Sequence, residues 1–341
     1  MKKIIITGGC GFIGSNLVNY FIKKKIFVIN IDKLSYSSST YNLKDASKKK
    51  NYVFIKSDIA DRQKNLKILK KYNPSLIFNL AAETHVDRSI DGPKTFIQNN
   101  INAVFNLLET LRFYNKNSNK KIKLIHVSTD EVYGDITNKN LRASEKFQYQ
   151  PSSPYAASKA SSDHLVKSYV RTYNFPAIIS NCSNNYGPNQ FPEKLIPKVI
   201  YNIQNNLPVP IYGKGINSRE WIHVEDHCVA LDVLSLKGKI GENYNIGSGK
   251  NLSNLNLVKF IVKIMKEKYK IKARIIFVKD RPGHDLRYAL DSRKIYKEFN
   301  WKAKINLMEG LSKTIDWYMK NLNYLNKLKK KDHKYRIGLK V

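Results

Sequence analysis

The residues that most constrain the fold are three glycines near the start of the chain, within Ile4-Ile5-Ile6-Thr7-Gly8-Gly9-Cys10-Gly11-Phe12-Ile13-Gly14. Gly8, Gly11 and Gly14 follow an apolar run of strand length and lead into a stretch with helical periodicity. In this setting the first glycine permits a tight turn and the second lets the backbone approach a pyrophosphate. The third allows close packing of helix on strand, and the helix N-terminus faces the negative charge. The spacing therefore predicts a dinucleotide-binding turn.

An acidic residue after the next predicted strand indicates which dinucleotide binds. The apolar run Ile26–Ile31 predicts that strand, and Asp32 follows it directly. A carboxylate at this position accepts hydrogen bonds from ribose hydroxyls and repels a 2′-phosphate. The sequence therefore predicts NAD as the cofactor, in preference to NADP.

The first part of the chain alternates between strands and helices. Strand-length apolar runs and helical stretches follow one another, which predicts a parallel sheet covered by helices on both faces. The predicted strands are Lys3–Thr7, Ile26–Ile31, Tyr52–Lys56, Leu76–Leu80, Lys123–Val127 and Ala177–Ser180, and the clearest helices are Phe12–Lys24, Thr95–Tyr114 and Tyr155–Tyr173. The predicted fold class is α/β, with a doubly wound parallel Rossmann-type sheet and a smaller C-terminal substrate-binding lobe.

The character of the sequence changes after Asn181, which suggests where the chain divides into two domains. Prolines become frequent there, and predicted helices are separated by loops. We expect residues 1–180 to form the NAD-binding domain and residues 181–320 to form mainly the substrate lobe, with some segment exchange between the two. Residues 321–341 are expected to be a lysine-rich tail that frays.

Further cofactor contacts are expected where other predicted strands end. Asp58 and Ile59 follow the third strand, and Leu80, Ala81 and Ala82 follow the fourth, where small residues let the chain pass close to a cofactor. Asn99 lies on the following helix. Caps and tight packing explain these residues equally well from the sequence alone.

A tyrosine and a lysine share one face of a predicted helix. Tyr155 and Lys159 stand four residues apart in Tyr155-Ala156-Ala157-Ser158-Lys159. Tyrosine ionises near pH 10, which is too high for a base at neutral pH. A nearby ammonium and a positively charged nicotinamide both favour the phenolate. This pattern predicts that Tyr155 removes a hydroxyl proton while a hydride leaves the same carbon.

A threonine and two carboxylates follow the fifth predicted strand. They are Thr129, Asp130 and Glu131. Active sites of open α/β sheets form beyond the carboxyl ends of the strands, and neighbouring carboxyls can have their pKa values pushed apart. Oxidation of a carbinol needs only Tyr155. Elimination of water also needs an acid and a base, which Asp130 and Glu131 would supply, with Thr129 binding a substrate hydroxyl.

The composition of the chain limits which binding partners can be expected. The chain has 60 Lys+Arg against 27 Asp+Glu, a net charge of +33, which raises the possibility of a basic nucleic-acid-binding Rossmann protein. The lysines are scattered, however, and the basic runs lack interleaved aromatics, so we expect no nucleic-acid partner. The three cysteines form no metal-ligand pattern, and no metal is expected. No long apolar run or signal peptide occurs, so we expect a cytoplasmic protein with no membrane partner.

Several longer segments of the sequence resemble those of a known protein family. They include Ala81-Ala82-Glu83-Thr84-His85-Val86-Asp87-Arg88-Ser89, Asn181-Cys182-Ser183-Asn184-Asn185-Tyr186-Gly187-Pro188, Phe191-Pro192-Glu193-Lys194-Leu195-Ile196-Pro197 and Asp280-Arg281-Pro282-Gly283-His284-Asp285. With the motifs above, the chain resembles the extended short-chain dehydrogenase/reductase superfamily, and within it the dTDP-glucose 4,6-dehydratase family, from about Lys3 to about Trp317.

The resemblance implies a hydro-lyase that holds NAD, acts on a nucleotide sugar such as dTDP-glucose in dTDP-rhamnose biosynthesis, and forms a homodimer. It implies Tyr155 as the C4 base, Glu131 as the C5 base and Asp130 as the C6 acid. The cofactor residues that it implies, with those above, are Gly8, Gly11, Phe12, Ile13, Gly14, Asp32, Lys33, Leu34, Ser35, Asp58, Ile59, Leu80, Ala81, Ala82, Asn99, Tyr155, Lys159 and Asn185. The implied substrate residues are Thr84, Thr129, Asn184, Lys194, Leu195, Pro210, Tyr212, Arg219, Asn254, Arg281 and His284, with Arg219 clamping the diphosphate.

Other nucleotide-sugar enzymes remain open at this point. The residues around Leu195 and Tyr212 do not distinguish dTDP from UDP or CDP. A 4-epimerase of UDP-sugars shares the glycine turn, Tyr155 and Lys159, but it has no need of Asp130 and Glu131. The carboxylate pair therefore favours a dehydratase.

Overall fold

The computed structural model describes residues 2–329 of the chain. Its strands are β1 (Lys3–Thr7), β2 (Phe27–Asp32), β3 (Tyr52–Lys56), β4 (Leu76–Asn79), β5 (Lys123–Thr129), β6 (Ala177–Cys182), β7 (Asn184–Tyr186), β8 (Val209–Tyr212), β9 (Ser218–His223), β10 (Asn243–Ile246), β11 (Asn251–Ser253) and β12 (Ile275–Val278). Seven of them form one sheet in the order β10-β6-β5-β4-β1-β2-β3. Every pairing in this sheet is parallel. This is the predicted doubly wound Rossmann-type arrangement.

Helices cover both faces of that sheet and build the second lobe. The α-helices are α1 (Phe12–Lys23), α2 (Arg62–Tyr72), α3 (Val86–Asp91), α4 (Pro93–Phe96), α5 (Ala103–Lys116), α6 (Pro154–Tyr173), α7 (Leu195–Gln204), α8 (Val224–Lys237), α9 (Asn254–Tyr269), α10 (Arg293–Phe299), α11 (Leu307–Lys320) and α12 (Leu322–Lys329). Within residues 2–329, no helix combines the length and the apolar character that crossing a bilayer would require.

Side chains along β1 alternate between the two faces of the sheet, and this alternation explains why helices cover both faces. Ile4 and Ile6 belong to one core with residues of α1, α8 and α10, whereas Ile5 belongs to a second core with residues of α2, α5 and α6. Successive side chains of a strand point to opposite faces. An uninterrupted apolar run therefore gives a strand that is buried on both sides.

The smaller lobe has its own apolar core. It is built from residues of α7, α9 and α11 together with the short strands β7, β8 and β9. β7 and β9 pair in parallel, β11 adds to β9 in antiparallel fashion, and β12 pairs in parallel with β8. All of these elements lie within residues 184–320.

Segments from the C-terminal half also complete the first domain. β10 pairs with β6 at the edge of the large sheet, and α8 and α10 pack on one of its faces. The sequence analysis did not identify β10, because Asn243-Tyr244-Asn245-Ile246 alternates polar and apolar residues and lacks an apolar run. The division into domains at residue 180 therefore stays a prediction. β10, α8 and α10 are the segments from the second half of the chain that pack with the large sheet.

Two predicted elements differ from the structure. The single helix predicted over Thr95–Tyr114 is broken into α4, a π-helix over Ile97–Asn102, and α5. The tail expected to fray from Asn321 instead continues as α12, in which Tyr324 is only 2% exposed. The Tyr324 hydroxyl donates to the Asn189 carbonyl oxygen at 2.9 Å. Residues 330–341 of the predicted tail lie outside the described part of the chain.

Candidate active site

One deep cleft lies at the carboxyl ends of the parallel strands, where open α/β sheets bind their ligands. Of the predicted cofactor residues, all except Leu34 line it. The predicted catalytic residues Thr129, Asp130, Glu131, Tyr155 and Lys159 line the same cleft. The strand ends therefore bring together residues that are far apart in the sequence.

The glycine turn leaves no room for side chains. Gly8 has φ +68°, and a Cβ there would lie 2.8 Å from the Ala81 backbone nitrogen. A Cβ on Gly14 would lie 2.2 Å from the Gly8 carbonyl oxygen. α1 begins immediately after Gly11, with its N-terminus at the cleft. The turn thus has the bare backbone and the exposed helix N-terminus that a pyrophosphate needs.

Asp32 organises the adenosine end of the cleft. Its carboxylate accepts hydrogen bonds from the backbone N–H groups of Cys10 at 2.9 Å and Leu34 at 2.7 Å. Burial raises the pKa of Asp32, and these hydrogen bonds oppose the rise. Leu34 does not line the cleft: its side chain packs against the core on the α1 face of the sheet. Its predicted contact with the cofactor remains a prediction.

Three further predicted cofactor residues contact one another. The Lys33 ammonium donates to Asn99 Oδ1 at 2.5 Å and lies 3.2 Å from Asp58 Oδ2. They come from the ends of β2 and β3 and from the π-helix. Their convergence at the cleft fits a role in holding the adenosine half of NAD.

The catalytic helix α6 begins with a conventional cap. Ser153 Oγ accepts a hydrogen bond from the Ala156 N–H at 3.1 Å, and Pro154 occupies the first turn. Tyr155 and Lys159 are 7% and 4% exposed, and both face the cleft. The Lys159 ammonium donates to the Val127 carbonyl oxygen of β5 at 2.9 Å.

The protein alone does not lower the pKa of Tyr155. Burial raises this pKa well above its ordinary value, Glu131 adds to the rise, and a hydrogen bond with Thr129 opposes it. The sequence predicted that an ammonium and a positively charged nicotinamide together favour the phenolate; in the protein without its cofactor, burial outweighs the groups that lower this pKa. A positively charged nicotinamide is the remaining source of the lowering.

The carboxylate pair follows β5 on a short 3-10 helix, Asp130–Tyr133. Thr129 caps this turn, because its Oγ1 accepts a hydrogen bond from the Glu131 N–H at 3.3 Å. Within residues 2–329, Asp130 Oδ2 and Glu131 Oε2 have no hydrogen-bond partner although both are buried. Buried polar atoms are rarely left unpaired. These two oxygens therefore fit groups that await a substrate.

The two carboxyls differ in their surroundings. Burial raises the pKa of Asp130 well above its usual range, and Glu131 adds to that rise. Burial also raises the pKa of Glu131, but Arg281, Arg219 and Lys194 oppose it. The pKa of Asp130 is thus raised more strongly than that of Glu131, so Glu131 is the more readily ionised of the two carboxyls, which is the order of acid and base that the resemblance implies.

The predicted substrate residues fall into two groups. Four of them line the cleft: Thr84, Thr129, Asn184 and Lys194. The other seven do not line it: Leu195, Pro210, Tyr212, Arg219, Asn254, Arg281 and His284. Two of the second group share a partner, since Asp87 accepts hydrogen bonds from the Tyr212 hydroxyl at 3.2 Å and from Arg281 Nη1 at 3.1 Å. Their contacts with a substrate remain predictions.

Arg219 is more buried than a surface clamp would be. It is 5% exposed, and its guanidinium donates to the carbonyl oxygens of Ser218 and Asp285 at 2.9 Å each. Its charge centre lies 4.2 Å from the centre of the Tyr288 ring. These contacts hold the fork in one orientation, and its charge still acts on Asp130 and Glu131.

Several residues of the cleft wall were not predicted from the sequence. They are Ile31, Ser37, Ser38, Ser57, Glu83, Ala103, Val127, Ser128, Cys182, Ser183, Gln190, Phe191 and Glu193. Many adjoin residues that were predicted, so proximity to the strand ends was the available signal. Glu193 likewise adjoins the predicted Lys194, but its own contacts depend on the tertiary fold. Its carboxylate accepts hydrogen bonds from the Tyr36 hydroxyl at 2.7 Å and from Arg88 Nε at 3.2 Å.

Comparison with known proteins agrees with this geometry. Residues 5–314 match the family model described as GDP-mannose 4,6 dehydratase. A probable dTDP-glucose 4,6-dehydratase of Sinorhizobium fredii is 46% identical over 94% of this chain and 93% of its own length.

Two solved structures of dTDP-glucose 4,6-dehydratases resemble the fold over most of its length. The enzyme of Bacillus anthracis, in complex with NAD, has a TM-score of 0.87 and 40% identity, covering 96% of this chain and 100% of that one. DesIV of Streptomyces venezuelae, also with NAD bound, has a TM-score of 0.89 and 36% identity, again covering 96% and 100%.

Proposed function

The chain belongs to the dTDP-glucose 4,6-dehydratase family, and we propose that it converts dTDP-glucose to dTDP-4-keto-6-deoxyglucose and water with NAD as its cofactor. The observation that carries this proposal is the meeting of Asp130 and Glu131 with Tyr155 and Lys159 in one cleft. Tyr155 and Lys159 suffice for oxidation at C4. The added acid and base are what loss of water requires, and a 4-epimerase would leave them idle.

The first step needs a base at the C4 hydroxyl. Tyr155 takes the hydroxyl proton as the C4 hydrogen leaves as hydride, and the buried Lys159 ammonium stabilises the phenolate that this requires. Bound NAD supplies the hydride acceptor for C4 and later the hydride donor for C6. Thr129, whose side chain interacts with both Tyr155 and Asp130, orients the hydroxyl.

The elimination uses the two neighbouring carboxyls. The 4-keto group acidifies the C5 proton, which Glu131 removes. Asp130 donates a proton to the C6 hydroxyl as the C6–O bond breaks, so that water leaves and a C5–C6 double bond forms. Return of hydride to C6 and of a proton to C5 gives the 4-keto-6-deoxy product. Burial favours the protonated form of Asp130, and three cations favour the anion of Glu131. These surroundings match the opposite tasks of acid and base.

Binding of the nucleotide diphosphate falls to residues of both domains. Lys194 belongs to the lobe, and its ammonium donates to the Thr84 carbonyl oxygen of the NAD-binding domain at 2.7 Å. With Arg219 and Arg281 it surrounds Glu131 with positive charge, which suits a diphosphate-bearing substrate. Asn184 lines the cleft together with Lys194, Thr84 and Thr129. The remaining members of the proposed set are Leu195, Pro210, Tyr212, Asn254 and His284.

The direct experiment is incubation of the purified protein with dTDP-glucose and detection of the 4-keto product by its absorbance in alkali. We expect many turnovers per bound NAD without added nicotinamide, because the hydride taken from C4 is returned to C6. Parallel incubations with UDP-glucose and CDP-glucose test the choice of base. A product that forms only once per added NAD would contradict the internal return of hydride.

The assembly and the pathway are also proposals. We infer a homodimer that acts in dTDP-rhamnose or another deoxysugar biosynthesis. Ile97 in the π-helix and Phe105 in α5 are 44% and 45% exposed, which suits surfaces that a second copy covers. Light scattering after size exclusion should give twice the mass of the chain, and a monomer at micromolar concentration would contradict the proposal.

A further inference from the structure

A carboxylate that the proposed reaction does not use lies buried one helical turn beyond Lys159. We propose that Asp163 is a positioning residue for the oxidation step: it is the buried counter-charge that keeps the Lys159 ammonium protonated while Tyr155 acts. Asp163 touches neither substrate nor reacting atoms in this account, and it works through Lys159. The inference rests on the roles proposed above for Tyr155 and Lys159.

The side chain of Asp163 is enclosed by the protein. It is 0% exposed, and Asp163 and Lys159, spaced at i and i+4, share a face of α6. Its Oδ2 accepts hydrogen bonds from Ser128 Oγ at 2.7 Å and from the Tyr149 hydroxyl at 3.0 Å. Asn181 Nδ2 donates to the same oxygen at 3.3 Å. Such a set of donors favours the ionised carboxylate.

The second carboxylate oxygen has no such donors. Within the described residues, Asp163 Oδ1 is buried without a hydrogen-bond partner. The nearest charged-type atom is His126 Nε2 at 3.5 Å, but burial lowers the pKa of His126 well below its usual value, so this ring is neutral. An anion left partly unpaired in a buried place calls for a cation nearby.

Lys159, four residues earlier on the same face of α6 and only 4% exposed, is a buried cation that can fill this role. Burial lowers the pKa of Lys159, and Asp163 is the strongest of the groups that oppose the decrease. Reciprocally, burial raises the pKa of Asp163, and Lys159 is the strongest of the groups that oppose it. The two charges therefore stabilise each other inside the protein.

The other titratable groups around the pair do not replace Asp163. Lys167, a second cation on α6, also lowers the pKa of Asp163 but is only partly buried. Burial raises the pKa values of the Tyr133 and Tyr149 hydroxyls and of the Cys182 thiol, so these groups are neutral at physiological pH. On the side of Tyr155, the neighbouring carboxyls are Asp130 and Glu131.

The pH dependence of C4 oxidation tests this arrangement. The rate rises with pH as Tyr155 ionises and falls as Lys159 loses its proton. Asp163 raises the pKa of Lys159, so removal of its charge lowers that pKa and moves the basic limb to lower pH. A partner of opposite charge at short range typically shifts a pKa by about 1–3 units, so we expect a shift of about one unit in Asp163→Asn. The acidic limb should move to lower pH or stay in place, because an anion has been removed.

The measurement is the single-turnover formation of NADH from dTDP-glucose at a series of pH values. Asp163→Asn is nearly isosteric, and Asp163→Glu restores the charge and should return the basic limb toward its wild-type position even if the rate is lower. Tyr149→Phe is the matched control: it removes a hydrogen bond to the same carboxylate but leaves the charge, so the basic limb should not move. If Asp163→Asn does not fold, Asp163→Ser carries the same expectation.

The outcomes separate the possibilities. A lower rate for Asp163→Asn with an unmoved basic limb would show a structural role and overturn the proposal. An equal shift in Tyr149→Phe would do the same, since the charge would then not be responsible. Absence of NADH formation in the wild-type protein would instead overturn the proposed function, and with it the roles of Tyr155 and Lys159.

Discussion

Asp130 and Glu131 are adjacent in sequence, yet the protein gives them different surroundings. Asp130 is buried beside the Glu131 carboxyl, whereas Glu131 is surrounded by the charges of Arg281, Arg219 and Lys194. A neighbouring anion favours the protonated form of a carboxyl, and a neighbouring cation favours the ionised form. The cations of the smaller lobe therefore determine which carboxyl acts as the acid and which as the base. The sequence placed the pair at a strand end. The three cations come from three segments that only the tertiary fold brings close.

Substitution of Arg219 tests its proposed role in binding the diphosphate of the substrate. Arg219→Ala should raise KM far more than it lowers kcat, because the diphosphate is bound alike in the ground and transition states. Loss of a charged hydrogen-bonding partner is worth roughly 1.5–3 kcal/mol, or about 10- to 100-fold in KM. Steady-state kinetics with dTDP-glucose measures both constants.

Arg219→Lys is the matched control for that experiment. It keeps the positive charge but loses the planar fork that binds the Asp285 and Ser218 carbonyl oxygens. We expect an intermediate KM. An unchanged KM in Arg219→Ala would show that the guanidinium only holds the protein backbone.

At the scale of elements, the glycine turn makes a sharp steric prediction. A methyl group on Gly14 would lie 2.2 Å from the Gly8 carbonyl oxygen and 2.8 Å from Gly9 Cα, so α1 must move away from β1. Overpacking of this kind costs about 1–3 kcal/mol. Gly14→Ala should therefore lower the thermal midpoint and reduce the NAD that copurifies.

Gly92→Ala is the control, because the nearest atom to its added Cβ is the Arg88 carbonyl oxygen at 3.7 Å, an ordinary contact. Differential scanning calorimetry and the absorbance of released NAD provide the two measurements. A Gly14→Ala protein with wild-type NAD content would contradict the close packing of turn and helix.

Elements with strong local signals were predicted well, and those that depend on tertiary contacts were not. The six predicted strands of the sheet all occur within two residues of their expected bounds, because apolar runs between turns identify buried strands. The π-helix over Ile97–Asn102 could not be foreseen. Its Asn100 side chain bonds the Glu83 N–H and carbonyl groups and donates to Ser158 Oγ, and these partners are distant in sequence.

The helix α12 shows the same limit and carries a prediction of its own. Its lysine-rich sequence suggested fraying, but Tyr324 and Leu325 are buried in the core of the lobe. Tyr324→Ala removes a buried aromatic ring and its hydrogen bond to Asn189, so it should destabilise the protein by about 3–5 kcal/mol. Lys320→Ala, at the end of α11, should change the unfolding free energy little. Chemical denaturation compares them, and equal stability would contradict the packing of α12.

At the scale of the whole molecule, the site depends on contacts between distant segments. Asp135, just after the catalytic turn, accepts hydrogen bonds from the N–H groups of Leu286 and Arg287 at 2.9 Å each. Arg287 Nη1 in turn donates to the Ile136 carbonyl oxygen at 3.1 Å. These bonds hold the segment with Asp285, which orients Arg219, against the loop that carries the carboxylates. The site is thus a product of both domains.

The central claim is that Tyr155 removes the C4 hydroxyl proton during oxidation by NAD, and that Glu131 and Asp130 then act as base and acid in the loss of water. It is tested most directly by single-turnover absorbance at the NADH band, with mass spectrometry of the sugar. Tyr155→Phe should form no NADH. Glu131→Gln should form NADH and a 4-ketoglucose species that accumulates, and Asp130→Asn should slow loss of the C6 hydroxyl while C5 exchanges with solvent deuterium. Each loss should be about 10²–10⁴-fold. Dehydration at the wild-type rate in both carboxylate variants would contradict the account.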